Sequence, residues 1–280
     1  MTRQSVAALV LAAVIGVAVV ITGFSRSAAR RAAASARVAG AATEGRGAAQ
    51  ASQALTSPTE RAIDRARKEG EYVFLLFYRP NDRGDAKMKG AFDRAQARLT
   101  EKAVFVSVDM ASRAEARLID KYDVRRAPLP LTLVMAPNGA IVRAFTQPVQ
   151  EDALANAFAS AKVAEVLKAL QDRKLVTLCL QGPTTKHNSE SLLAARQFVG
   201  DAKLAGQAVL VVADPQKEPD LLKRCGIAVE LADSTTVMLL PPGRLIAKIS
   251  GATTTDVLLA RLQSGLASCG SGCGPSGCGQ

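Results

Sequence analysis

Pro130-Leu-Thr-Leu-Val-Met-Ala-Pro-Asn-Gly139 returns 104 residues later as Ser234-Thr-Thr-Val-Met-Leu-Leu-Pro-Pro-Gly243. Each copy leads apolar and β-branched residues into a Pro-containing turn that ends in glycine. A second apolar run follows each turn, Ile141 to Phe145 and Leu245 to Ile249. Such residues suit a pleated, buried surface, and a turn of this chemistry joins antiparallel neighbours, so both copies predict a β-hairpin. Just upstream, Tyr122-Asp-Val124 matches Cys225-Gly-Ile227 at an offset of 103. A period near 100 residues is too long for a solenoid repeat and right for a whole domain.

The chain around the hairpins fills in the same unit twice. Ser57-Pro58-Thr59-Glu60 predicts a helix start, with Ser57 as cap, Pro58 in the first turn, Glu60 completing a capping box and Gly70 as the stop. Tyr72 to Phe77 is a continuous apolar run, the pattern of a strand buried on both faces. A helix from about Ala86 to Leu99, a strand from Ala103 to Val108 and a helix from about Arg113 to Lys121 precede the first hairpin. A last helix opens at Glu151. The second copy runs helix Val163 to Gln171, strand Leu175 to Leu180, helix Ser189 to Val199, strand Ala208 to Val212, a short helix ending at Cys225, the hairpin, and helix Thr255 to Leu262. The expected organisation is a leading segment 1–24, a linker 25–56, domains over 57–161 and 162–265, and a tail 266–280.

Composition narrows the chemistry. The chain has no Trp, so Ala, Val and Leu carry most of the packing. Its single histidine, His187, argues against His-based zinc sites, paired-His haem ligation and most Ser-His or Cys-His triads. The net charge is +11, of which residues 1–56 supply +5 through six Arg and one Glu, leaving +6 for the other 224 residues. That is a mildly basic surface without interleaved aromatic residues, so nucleic acid is not an expected partner.

Val6 to Phe24 is uncharged, with Thr22 its one polar residue. Nineteen residues of helix span about 28 Å, close to one bilayer core, and the run is apolar on every face. It reads as a retained single-pass anchor in the lipid bilayer. A cleaved signal segment is the alternative, since Ser27, Ala28 and Ala29 follow it. Arg26, Arg30, Arg31 and Arg37 outweigh Arg3 across the run, which favours a cytoplasmic soluble part. Residues 25–56 are Ala, Arg, Gly and Ser in low-complexity order, a tether.

The order β-α-β-α-β-β-α behind a leading helix resembles the thioredoxin-like superfamily. Phe77-Tyr78 is similar to the aromatic end of that family's active-site strand, and Val106-Ser-Val108-Asp109 to its next central strand. Tyr122-Asp-Val124 with Pro130 and Leu131 to Gly139 is similar to the family's segment carrying a cis-proline that faces the active site. Pro130 fits that proline by its distance to the turn, and Pro128 by its distance from Val124. The resemblance covers about residues 58–265. It implies an α/β chain of two tandem thioredoxin-like domains, each a central mixed sheet flanked by helices, behind an N-terminal transmembrane helix. Many anchored members face the extracytoplasmic side, against the charge asymmetry, so the side of the membrane stays open.

The family's nucleophilic cysteine stands five residues beyond the aromatic matched by Phe77, at a helix start that favours its thiolate. This chain has Asp82 there, and Asp82-Arg83-Gly84-Asp85 fills the Cys-x-x-Cys window. The window of the second copy falls at about Thr185 to Asn188, again without cysteine, and Ser234 replaces the proline. Dithiol exchange by the family's usual route is therefore not expected, and no catalytic residue is assigned. Asp82 and Asp85, at i and i+3, are read as a capped, exposed helix N-terminus rather than a cation site. His187 is read as a surface residue.

Of five cysteines, Cys179 lies mid-strand and reads as a small buried hydrophobe, and Cys225 ends a helix. Cys269, Cys273 and Cys278 sit in a Gly/Ser/Pro tail. Three soft thiolates suit Cu(I), or Zn(II) with a fourth ligand from elsewhere. A reversible disulfide and a tail with no defined site are the alternatives. The expected function is a membrane-anchored, non-catalytic interaction or scaffold module. Metal or thiol-redox handling by the tail is the alternative, and a peroxidase or oxidoreductase role through Cys225 or a tail thiol ranks behind both.

Overall fold

A computed structural model describes residues 57–267, and each half of that span carries its own four-stranded sheet. The first half begins with α1 (Pro58–Glu69), where Ser57 Oγ accepts the Glu60 N–H (3.0 Å) and Glu60 Oε2 accepts the Ser57 N–H (3.1 Å), so the expected capping box is formed. Gly70 ends the helix at φ +76°, a conformation that a side chain would oppose. Then come β1 (Tyr72–Tyr78), α2 (Arg83–Leu99), β2 (Ala103–Asp109), a 3₁₀ turn at Arg113–Glu115 running into α3 (Ala116–Lys121), the hairpin β3 (Leu131–Met135) and β4 (Ile141–Phe145), and α4 (Glu151–Ala155).

Strand order in this sheet is β2-β1-β3-β4, with β1 and β2 parallel from Tyr72 opposite Ala103 to Tyr78 opposite Asp109. The central position of β1 explains its continuous apolar run, since both faces are covered and Val73 to Phe77 are fully buried. Phe74 stacks on Phe105 at 4.6 Å between ring centroids, and Phe92 of α2 meets the same ring edge-on at 5.0 Å.

The second half repeats the plan. It holds α5 (Ala161–Gln171), β5 (Leu175–Leu180), α6 (Asn188–Val199), β6 (Ala208–Ala213), α7 (Pro219–Arg224), β7 (Thr235–Leu240), β8 (Arg244–Ser250) and α8 (Thr255–Ala267). Ser160 caps α5 by accepting the Val163 N–H (3.1 Å), 103 residues after the Ser57 cap, although the residue pattern alone puts the helix start at Val163. Strand order is β6-β5-β7-β8, with β5 parallel to β6 and β7 antiparallel to both β5 and β8. Phe198 of α6, Met238 of β7 and Leu258 of α8 form the centre of one core layer. No helix among the described residues is long and apolar enough to cross a membrane. Val6 to Phe24 and the tail from residue 268 lie outside the described residues.

Candidate functional site

In the first half, the loop leaving β1 delivers Arg79 and Asp82 to the start of α2. The helix opens at Arg83, three residues before the start that the apolar pattern gives. Asp82 is its cap, and Asp82 Oδ1 accepts the Gly84 N–H (2.8 Å) and the Asp85 N–H (3.2 Å). These two backbone donors hold the Asp82 carboxyl below the usual carboxylate range, with the Arg79 guanidinium adding to the effect.

Asp85 corrects the reading of an exposed pair. The earlier helix start places it in the first turn, facing inward, and its side chain is wholly buried. Asp85 Oδ2 accepts the Arg79 backbone N–H at 2.6 Å and lies 3.4 Å from Arg79 Nε, while Oδ1 has no hydrogen-bond partner. Asp82 Oδ2 lies 3.4 Å from Arg79 Nη2. The two carboxylates thus converge on one arginine instead of presenting a shared face to a cation. Among the described residues, no group of three or more His, Cys, Asp or Glu side chains is arranged to hold a metal ion. The Leu129–Pro130 peptide, immediately before β3, is cis, and Pro130 is buried.

In the second half the matching window is stitched to itself. Thr185 Oγ1 accepts the Gly182 N–H (2.8 Å) and lies 2.6 Å from Asn188 Oδ1, and Asn188 Nδ2 donates to the Gly182 carbonyl (2.9 Å). His187, left-handed at φ +58°, is half-exposed with Nε2 3.8 Å from Asp233 Oδ1. Ser234 holds the place before β7 that Pro130 holds before β3. A proline there could not donate its nitrogen, but Ser234 N–H donates to the Lys186 carbonyl (2.9 Å). Lys186 N–H donates to the Ala232 carbonyl (3.0 Å), completing an isolated parallel bridge between Lys186 and Asp233.

Beneath that bridge, Ser234 Oγ donates to the His187 carbonyl (3.1 Å), Ser191 Oγ donates to the Gly251 carbonyl (2.9 Å), and the two hydroxyls are 2.8 Å apart. Both serines are fully buried. Two hydroxyl protons serve three contacts, so the hydroxyls satisfy the two carbonyls or each other, but not all at once. The residue pattern gives no sign of this network beyond the exchange of proline for Ser234.

Neither described thiol is tuned for nucleophilic attack. Cys179, on β5, is wholly buried, and Cys225 caps the end of α7. Burial pushes both thiols up from their ordinary range. For Cys225 the Arg224 and Lys248 charges oppose that shift without reversing it. Cys269, Cys273 and Cys278 lie outside the described residues.

A sheet in the order 2-1-3-4 with a parallel first pair, a terminal hairpin and helices on its flanks, present twice in tandem, is the thioredoxin-like fold. Among solved structures, the chain is similar to human ERp44 (15% identity, TM-score 0.34, covering 75% of this chain and 57% of that one). It is also similar to the first two thioredoxin domains of Saccharomyces cerevisiae Eps1p (11% identity, TM-score 0.30, covering 74% and 96%). A third likeness is to the NTD_N/C domain of alkylhydroperoxide reductase AhpF from Enterococcus faecalis (14% identity, TM-score 0.28, covering 72% and 98%). This chain thus spans little more than half the length of ERp44. No family model matches the chain, and no curated protein matches it.

Proposed function

We propose that this chain is a non-catalytic tandem thioredoxin-like protein, held at a membrane by Val6 to Phe24, that works as an interaction or scaffold module for a protein partner. The observation that carries the reading is the content of the two windows. Asp82 and Asp85 stand at the first, tied to Arg79, and Thr185 to Asn188 stand at the second, tied to Gly182 and Asp233. Without a thiolate at either helix start, the fold has a scaffold for recognition but no nucleophile for disulfide exchange. Cys179 is buried and Cys225 partly so, and this burial pushes both thiols up from their ordinary range, the opposite of activation. The lipid bilayer is one partner under this proposal, and nucleic acid is not.

The test is insulin reduction by the full chain in detergent, with dithiothreitol as electron donor. Turnover no faster than dithiothreitol alone, and unchanged by Asp82→Ala, is the expected result. Robust turnover that survives Ser substitution of Cys269, Cys273 and Cys278 would overturn the proposal. Three cysteines within ten residues of tail favour a second reading, in which the tail handles a soft metal ion or a redox equivalent.

A further inference from the structure

We propose that the open edge of the second sheet binds a second copy of this chain, the β6 strands of two molecules pairing antiparallel about a two-fold axis at Leu210 to join their sheets into one. This goes beyond the scaffold reading and holds or fails independently of it.

β6 is hydrogen-bonded on one side only. Leu175 N–H donates to the Gln207 carbonyl (2.8 Å) and Gln181 N–H to the Ala213 carbonyl (3.0 Å), at the two ends of a parallel ladder that pairs Leu175 with Ala208 and Leu180 with Ala213. In such a ladder alternate residues turn their backbone groups toward the neighbouring strand. Val209, Val211 and Ala213 therefore face β5, and the N–H and C=O groups of Ala208, Leu210 and Val212 point away from it. Among the described residues, no group hydrogen-bonds to the backbone of those three. All three are half-buried, so the row is open to solvent. A row of outward N–H and C=O groups is a template for another strand.

β6 also lacks what guards the other sheet edges. β4 carries Arg143, and β8 carries Arg244 and Lys248. β2 ends at Asp109, whose carbonyl already accepts the Ser112 N–H (3.0 Å). β6 reads Ala-Val-Leu-Val-Val-Ala from Ala208 to Ala213, with neither charge nor proline, the two residue classes that keep strand edges apart. Val199 and Leu204, partly buried like Ala208 and packed on the same core layer, add to its apolar surface.

The strand's own sequence selects a second copy as the occupant. An antiparallel pair turned about Leu210 sets Leu210 opposite the partner's Leu210, Ala208 opposite the partner's Val212, and Val209 opposite the partner's Val211. Ala208, Leu210 and Val212 then all fall at hydrogen-bonded positions on both copies, so each outward N–H and C=O is matched. No other two-fold register matches all three, because a shift of two residues sets Ala208 opposite the partner's Asp214, beyond the strand. The facing side chains are apolar and mostly β-branched, a pairing that stabilises adjoining strands, and no like charges oppose each other at the ends. The association closes at two copies, since the remaining edge of each second sheet is the charged strand β8.

The experiment is sedimentation equilibrium of the reduced full chain in density-matched detergent. Wild type is expected to show a monomer–dimer equilibrium. Leu210→Lys, which sets two like charges against each other on the axis, should weaken it at least tenfold. Leu210→Pro should do the same, because it removes an N–H that points away from β5 and leaves the β5 ladder whole. Far-UV circular dichroism checks the fold of each variant, and cross-linking gives a readout that needs neither of them. With Cys225, Cys269, Cys273 and Cys278 replaced by Ser, the Leu210→Cys variant oxidised with diamide should form a covalent dimer, since directly opposed residues have Cα atoms about 5.5 Å apart. The Ala208→Cys variant should not, its two copies standing about 14 Å apart along the strands. A wild type that stays monomeric to the limit of its solubility overturns the proposal. So does a dimer that folded Leu210→Lys and Leu210→Pro leave intact, which would place the contact elsewhere, or a Leu210→Cys variant that cross-links no faster than the Ala208→Cys variant.

Discussion

Ser234→Pro would put back the residue that the first copy has, and it should open the second window. The substitution removes the N–H that donates to the Lys186 carbonyl at 2.9 Å and the hydroxyl that donates to the His187 carbonyl at 3.1 Å. A hydrogen bond contributes about 0.5–1.5 kcal/mol net, and a partly buried carbonyl left without a donor adds to the loss. The expected total is about 2–3 kcal/mol. Ser234→Ala removes only the hydroxyl and should cost about 1 kcal/mol. At 1.4 kcal/mol per factor of ten, these become roughly fivefold and roughly 30- to 150-fold increases in local opening. The reporter is the Lys186 amide, which donates across the same bridge to the Ala232 carbonyl at 3.0 Å, followed by native-state hydrogen exchange. Far-UV circular dichroism controls for global unfolding, since the chain has no Trp to serve as a fluorescent probe. If Lys186 exchanges no faster in Ser234→Pro than in Ser234→Ala, the backbone bridge does not hold this window and the reasoning fails.

Phe74→Ala, which empties a wholly buried ring stacked at 4.6 Å on Phe105, should cost about 3–5 kcal/mol in urea unfolding, and a loss below about 1 kcal/mol would contradict the packing described. Gly265→Ala should destabilise α8 because its Cβ would stand 2.9 Å from Ile246 Cβ; a gain of about 1 kcal/mol, the ordinary helix effect of replacing glycine, would refute that contact. Asp82 has a carboxyl held low by two backbone donors, so its stabilisation is present above the unfolded value of about 3.9 and is lost as pH falls through the lower folded value. The stability gap between wild type and Asp82→Ala should therefore narrow on acidification below about pH 4, and a gap independent of pH would show that the carboxylate charge contributes nothing.

Much of the fold is written in local patterns. The capping box at Ser57, the apolar run of β1 and the two Pro-and-Gly hairpins each declare themselves through backbone propensity and burial, and a repeat of 103–104 residues joins them into two copies of one unit. The same reading finds what is missing, because a cysteine is either at residues 82–85 and 185–188 or it is not. It misplaces the residues that stand there instead. The pair Asp82 and Asp85 looks like an exposed cap in the sequence, since nothing local says that the helix starts at Arg83 and turns Asp85 inward onto the Arg79 backbone.

The sequence by itself determined the duplicated architecture and the absence of cysteine at residues 82–85 and 185–188, since each depends on residues close together in the chain or on their identity alone. Only the tertiary structure decided the state of the two windows. The Lys186–Asp233 bridge and the Ser191–Ser234 contact join residues 47 and 43 positions apart, and the packing of α6 and its preceding loop against the start of β7 brings them together. The seating of α8 on β8, where Arg244 Nη2 donates to the Gly265 carbonyl, is likewise a product of packing. Propensity acts over a few residues and fixes the elements. Hydrogen bonds such as these form across tens of residues, and the fold decides which of them do.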